Sequence, residues 1–186
     1  AAKTALAEAE VEYEEKEDFS IYVAFSLDAE GLKKLNIDKG AVVIWTTTPW
    51  TLPSNVGISL NPDEKYVLTD CGYIVAKPRY DTLVEEEVIK GAIVKEFDAK
   101  DLELLEAINP LNNRKSKLIL GDHVLMDGGS GCVHTAPGHG EEDYRIGLKY
   151  NLEVVMPVDD AGKFDFNVEK LGLFPDPSKF LGRHIF

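Results

Sequence analysis

The sequence is short of cysteine and of positive charge. Only Cys71 and Cys132 occur, and neither sits in a C-x-x-C pair. That favours a reducing, cytoplasmic setting over a disulfide scaffold, with a Cys71–Cys132 bridge as the disfavoured alternative. Twenty basic residues face 33 acidic ones, for a formal net charge of −13. Bulk electrostatic binding of nucleic acid needs basic patches that displace counterions, so it is excluded. Arg114, Lys115 and Lys117 in "NNRKSK" form the one local basic cluster, which reads as a solvated loop. Any nucleic-acid contact is therefore local, or assisted by a partner domain. No apolar run approaches the ~18–20 residues that span a bilayer, so no membrane partner is expected. The opening "AAKTALAEAE" lacks a signal-peptide core and an initiator Met, which points to an excised or processed chain. G-x-G-x-x-G and G-x-x-x-x-G-K-[ST] are both missing, so nucleotide-phosphate readings have no anchor. There are no internal repeats.

What is present suits one domain: 186 residues, 44% of them hydrophobic, enough for one sizeable core. Residues 1–9 are helix-prone, and "VEYEEKEDFSIYVAFSL" reads as strand, acidic turn, strand. "GLKKLN" suits a helical turn. "AVVIWTTT" is a buried strand broken by Pro49 and Pro53. "VGISLN", "KYVLTD" and "YIVAKP" follow at the short spacing of a meander or barrel. "YDTLVEEEVIKG" predicts a helix capped by Asp81 or Thr82, and "AIVKEFDAKDLELLEAINP" is ambiguous between strand and helix. "KLILGDHVLMDGGSGCVHTA" reads as two strands around Gly-rich turns, "GEEDYRIGLKYN" as a short helix, and "EVVMPVD" as a final strand. The expected fold is α+β, a β-barrel-like body with short flanking helices. Residues 1–186 form a single domain, with 1–18 and 175–186 as connecting segments.

"GCVHTAPGHGEEDY" (131–144) concentrates reactive side chains. Cys132, His134, His139 and Asp143 are competent metal ligands, but none of the usual zinc spacings is complete. "GGSGC" misses the G-x-S-x-G elbow because Cys132 stands where Gly is needed. Cys132 and His134 share a strand face without meeting in line, and Cys132 reads better as core. Glu141, Glu142 and Asp143 fall in a helix's first turn, where negative charge complements the macrodipole by ~0.3–1 kcal/mol. His134, if buried, needs a hydrogen-bond partner. These readings stay open on this stretch alone.

"WTTTPWTLPSN" (45–55) adds hydroxyls and aromatics at the mouth of a strand. Its residues are either strand-favouring threonines or the polar floor of a pocket with Trp50 as a wall.

Taken together, "WTTTPWTLPSN" and "GSGCVHTAPGHGEEDY" resemble the editing domain of isoleucyl-tRNA synthetase, a class I aminoacyl-tRNA synthetase. The likeness extends to "KTALAEAEVEY" at the start and "GDHV" at 121–124, and so covers nearly the whole chain. Valyl and leucyl relatives carry Thr-Thr-Arg-Pro and then an acidic residue. Thr48 and Trp50 stand at those positions here, the isoleucyl pattern. Glu142 departs from the Asp that relatives often carry.

The resemblance implies a hydrolase that cleaves valine from wrongly charged tRNA(Ile), without cofactor or metal. Its partners would be the 3′ CA end of that tRNA, the valine moiety and the remaining domains of a parent synthetase. It further implies that Asp143 holds the α-ammonium. Thr46, Thr47, Thr48 and Thr51 line the site and help bind the ester or the attacking water. His134 and Trp50 shape the side-chain pocket, with His134 also able to polarise. Asn55 contacts the terminal adenosine, and His139 is a further substrate-binding residue. No covalent intermediate is expected, because threonine without an adjacent base is a poor nucleophile. Aminoacylation is not expected, since neither ATP-site signature of class I synthetases is present. The alternatives are a non-catalytic RNA- or protein-binding module of this fold, and a metal-dependent hydrolase using His134, His139 and Asp143.

Overall fold

A computed structural model describes residues 20–185. The helix-prone opening and the first strand expected after it lie outside these residues.

The strand β1 (Ile21–Leu27) pairs antiparallel with β2 (Ala41–Thr46) from Ile21↔Thr46 to Ser26↔Ala41. Its other edge meets β7 (Glu106–Ile108). The ladder continues through β8 (Lys115–Leu120), β3 (Gly57–Leu60) and β9 (Cys132–Thr135), which returns to β2. Six strands thus close into a barrel. Outside it, β5 (Tyr73–Ala76), β4 (Lys65–Thr69) and β6 (Ile93–Asp98) extend the sheet from β2.

β2 is the pivot, because one of its edges is shared. Ala41 and Val42 pair with β5, whereas Trp45 pairs with Val133 of β9. The sheet forks between these contacts. The residues of β2 suit both settings. Val42 and Ile44 point into the barrel core with Phe25, Ile58 and Leu118, while Val43 packs outward with Val67, Val75 and Leu83. A strand covered on both faces reads as a continuous apolar run. Fully burying a side chain such as Ile44 contributes roughly 1.5–3 kcal/mol. The run ends where Pro49 opens a 3₁₀ turn, Pro49–Ser54, that also contains Pro53. Proline has no N–H for the ladder, so the chain leaves the sheet there.

The expected short helices are present as α1 (Ala29–Leu35), α2 (Tyr80–Glu85) and α4 (Glu141–Tyr150). The cap expected for α2 is corrected. The helix follows directly from a 3₁₀ turn at Lys77–Arg79, and neither Asp81 nor Thr82 caps it. The ambiguous stretch resolves into β6, a four-residue helix α3 (Ala99–Leu102) with an Asp98/Asp101 capping box, and β7. Of meander and barrel, the barrel is correct: β4 and β5 form a hairpin, but β3 lies between β8 and β9.

The final strand expected in "EVVMPVD" is not formed. Val155 is buried among Val56, Phe164 and Leu173, and Val154 and Met156 are exposed, but only Val158 makes a bridge, to Phe164. Buried and exposed side chains alternate there, but no neighbouring strand among the described residues bonds it. α5 (Asn167–Lys170) and residues 175–185 pack onto the same small cluster, and Phe180 stacks on Phe174 with ring centroids 3.8 Å apart. Both cysteines are free, Cys71 exposed and Cys132 buried. Burial pushes the Cys132 thiol well above its usual pKa, as befits a core residue. Two residues of the basic cluster are paired within the protein: Arg114 with Glu153 at 2.7 Å, and Lys115 with Glu106 and Asp28.

Candidate active site

The end of β2, the 3₁₀ turn after it, β9 and the start of α4 surround a cleft of about 440 Å³. Thr46, Thr47, Thr48, Trp50, Thr51, His134, His139 and Asp143 all line it. Two segments some 80 residues apart are therefore brought together by the single β2–β9 contact and by the β3–β9 pairing, in which Ile58 faces His134.

The threonines hold one another in place. Thr48 N–H donates to Thr46 Oγ1 at 3.0 Å, and the Thr51 hydroxyl donates to the Thr48 carbonyl at 2.8 Å. Thr48 Oγ1 lies 3.3 Å from Thr46 Oγ1 and 3.4 Å from Thr51 Oγ1. Thr47 is exposed, and its hydroxyl has no bonding partner among the described residues.

His134 is buried, with both ring nitrogens engaged. Nε2 is 2.7 Å from Thr51 Oγ1, and Nδ1 is 2.8 Å from Asn55 Nδ2. The same Asn55 nitrogen donates to the Gly57 carbonyl at 2.8 Å. An amide oxygen in that position would face another oxygen, so the NH2 group must point there. Nδ1 of His134 is then an acceptor and Nε2 carries the proton. Thr51 agrees from the other side: its one hydrogen is given to Thr48, so it accepts from Nε2–H. Burial, with His139 nearby, pushes the His134 pKa down to about 4. The ring is neutral and fixed at neutral pH.

Asn55 itself is fully buried behind this ring. Asn55 presents no open face for the expected contact with the terminal adenosine; its bonds run to the Gly57 carbonyl and to His134. Its Oδ1 has no hydrogen-bond partner among the described residues.

Asp143 does not cap its own helix. Gly140 is the N-cap of α4 and makes no side-chain bond. The Asp143 carboxylate turns back toward the end of β9, where Oδ2 accepts the Ala136 N–H at 2.8 Å. Its Oδ1 has no bond among the described residues, and the group is half-buried beside the cleft. Burial raises its pKa, against the lowering influence of the Ala136 N–H, His123 and His139. Glu141 and Glu142 are exposed, and Glu141 pairs with Arg145 along the helix. His139 is held by Ser54, Nε2 to Oγ 2.9 Å, and burial lowers its pKa against the pull of Asp143.

Trp45 and Val133 also line the cleft. Strict alternation places them on the face opposite Thr46 and His134, so the sequence offered no reason to choose them. They reach the cleft because the sheet parts beside them. Among the described residues no group of three or more His, Cys, Asp or Glu is placed to hold a metal ion, and no helix is long and apolar enough to cross a membrane.

Comparison with known proteins then decides the family. The profile described as "Leucyl-tRNA synthetase, editing domain" matches residues 34–172. The chain belongs to this synthetase editing-domain family. As an editing domain it is similar to part of the isoleucine–tRNA ligases. It is 64% identical to that of Nautilia profundicola over 99% of the chain, and 60% identical to that of Campylobacter lari over its full length. It spans about one-fifth of either relative (20%). The isoleucyl pattern read from Thr48 and Trp50 agrees with these relatives. Two solved structures share the fold. GlLeuRS-CP1 superposes with a TM-score of 0.59 at 17% identity, covering 74% of this chain and 69% of its own. The P. knowlesi cytosolic leucyl-tRNA synthetase editing domain gives 0.56 at 16% identity, covering 72% and 67%.

Proposed function

We propose that this editing domain hydrolyses the ester joining valine to tRNA(Ile), the proofreading step of an isoleucine–tRNA ligase. The observation that carries the reading is the Asp143 carboxylate. One oxygen is fixed by the Ala136 N–H, and the other has no bond among the described residues beside a threonine-lined cleft. An α-ammonium group there forms a charge-assisted hydrogen bond. The aminoacyl ester then lies along Thr46–Thr48, where the Thr47 hydroxyl meets its carbonyl or the attacking water.

His134 serves as a wall rather than as a base. Its Nδ1 lone pair is taken by Asn55, its Nε2 proton faces Thr51, and a pKa of about 4 keeps it neutral. No threonine therefore has a base able to activate it, which supports direct attack by water. The same two bonds disfavour the metal-hydrolase alternative, because neither His134 nitrogen is available to a cation. Together with Trp50 and the Pro-bracketed turn, the ring limits the size of the side chain admitted. Such a second filter is needed because one methylene in a binding pocket is worth only ~1–3 kcal/mol, a limit for which isoleucyl-tRNA synthetase is the standard example. The cleft receives the 3′ CA end. With Arg114 and Lys115 committed to internal ion pairs, other contacts to the tRNA fall to the rest of the synthetase.

The test is deacylation of valyl-tRNA(Ile) and isoleucyl-tRNA(Ile) by the chain. Valine is expected to be released and isoleucine retained, and His134→Ala should begin to release isoleucine. Decay of the valyl ester at its uncatalysed rate would favour the non-catalytic binding module instead.

A further inference from the structure

The loop 126–131 connects to β9 and passes over the cleft wall. Gly129 has φ +61°, and a Cβ added to it would lie 2.9 Å from Cε3 of Trp45. Its backbone therefore rests on the Trp45 ring, at a separation only glycine permits. This loop is held from outside the barrel. Arg79, in the 3₁₀ turn after β5, donates from Nε to the Gly129 carbonyl at 2.9 Å and from Nη1 toward the Met126 carbonyl at 3.5 Å. Ala76 N–H donates to the Ser130 carbonyl, and the Tyr66 hydroxyl to that of Gly131. Every one of these anchors lies in β4, β5 or the turn after them. No ion pair among the described residues engages Arg79.

We propose that Arg79 is a positioning residue for the editing site, fixing the Trp45 wall by clamping the 126–129 loop onto it. The guanidinium suits this task. It is planar and reaches two carbonyls from one side chain, whereas a lysine ammonium offers a point charge without the fork. The three-stranded extension then has a purpose beyond packing: it carries the clamp. Trp45 in turn bounds the space that Thr46 and His134 close from the other sides, so a loosened loop widens the cleft and weakens its size selection. This last consequence rests on the hydrolysis proposed above; the positioning of Trp45 does not.

The experiment separates the two. Trp45 and Trp50 are the only tryptophans, so Trp50→Phe leaves Trp45 as sole reporter. In that background Arg79→Lys and Arg79→Met should shift Trp45 emission to longer wavelength and increase its quenching by acrylamide, with the far-UV spectrum unchanged. In the chain with Trp50 intact, Arg79→Lys should lower the ratio of valyl to isoleucyl deacylation by about fivefold, the size of one net hydrogen bond. Should Arg79→Met fail to fold, Arg79→Lys alone decides. Unchanged emission and quenching overturn the proposal, as does shifted emission with an unchanged ratio in an active chain. A wild-type chain that does not release valine sinks the catalytic reading, while Trp45 emission still decides whether Arg79 positions the wall.

Discussion

The amide nitrogen of Asn55 lies 2.8 Å from two acceptors at once, the Gly57 carbonyl oxygen and Nδ1 of His134. Two hydrogens on one nitrogen thus fix a histidine tautomer from behind the cleft. The cleft meets the ring only after its proton has been assigned to Nε2.

Asn55→Asp tests that assignment. A carboxylate would demand a proton on Nδ1, attract charge onto the ring, and set an oxygen against the Gly57 carbonyl. The His134 pKa should rise, and ¹⁵N NMR of the ring should report a protonated Nδ1. Stability should fall by about 1–3 kcal/mol, as expected when a buried acceptor loses its donor. An unchanged Nε2–H signal in the variant would show that Asn55 does not set the tautomer.

The depressed pKa of His134 has a consequence for stability against pH. Unfolded, the ring titrates near its ordinary 6.5; folded, it resists protonation down to about 4. Its contribution is therefore complete above pH 6.5 and is lost as the pH falls through 6.5 toward 4. That loss amounts to about 3 kcal/mol. Urea unfolding of the wild type and of His134→Gln at a series of pH values isolates the effect. The difference between them should be constant above pH 7 and shrink below it. A difference that stays flat to pH 4.5 would mean that the ring is not held neutral.

Asp143→Asn separates the ammonium anchor from a helix-start carboxylate. The carboxylate bonds Ala136 and not its own helix, so the variant should fold with a small change in melting temperature. Losing a partly desolvated charge partner costs ~2–5 kcal/mol, roughly thirty- to several-thousand-fold in valyl ester hydrolysis. Glu142→Gln, on the exposed side of the helix, should match the wild type. Hydrolysis by Asp143→Asn within about threefold of wild type, under ~1 kcal/mol, would return Asp143 to the helix-start reading.

Much of this site could be read from residue types in order. β2 was visible because an unbroken apolar run ends at two prolines, and α4 because acidic residues follow a glycine-rich turn. The resemblance points to the site threonines, Trp50, His134, His139 and Asp143, and the structure gathers them in one cleft. What could not be read depends on partners distant in sequence. β7 is three residues long and becomes a strand only because β1 and β8 flank it. Val154–Met156 has strand alternation without a neighbour to bond. The burial of Asn55 follows from His134, 79 residues later, coming to lie against it. Trp45 enters the cleft through a fork in the sheet that no local pattern signals.

The barrel's wiring also bears on how the chain comes to fold. The bonds that hold His134 run to Thr51 and Asn55, 83 and 79 residues earlier in the chain. Loops of that length close slowly, because their entropy must be given up before any contact rewards it. During synthesis β1 and β2 can pair early, yet β2 must wait for β9 before its second edge is covered near Trp45. The cleft is therefore assembled near the end of folding, and a chain stalled before residue 132 would carry five of the barrel's six strands and none of the site's histidines.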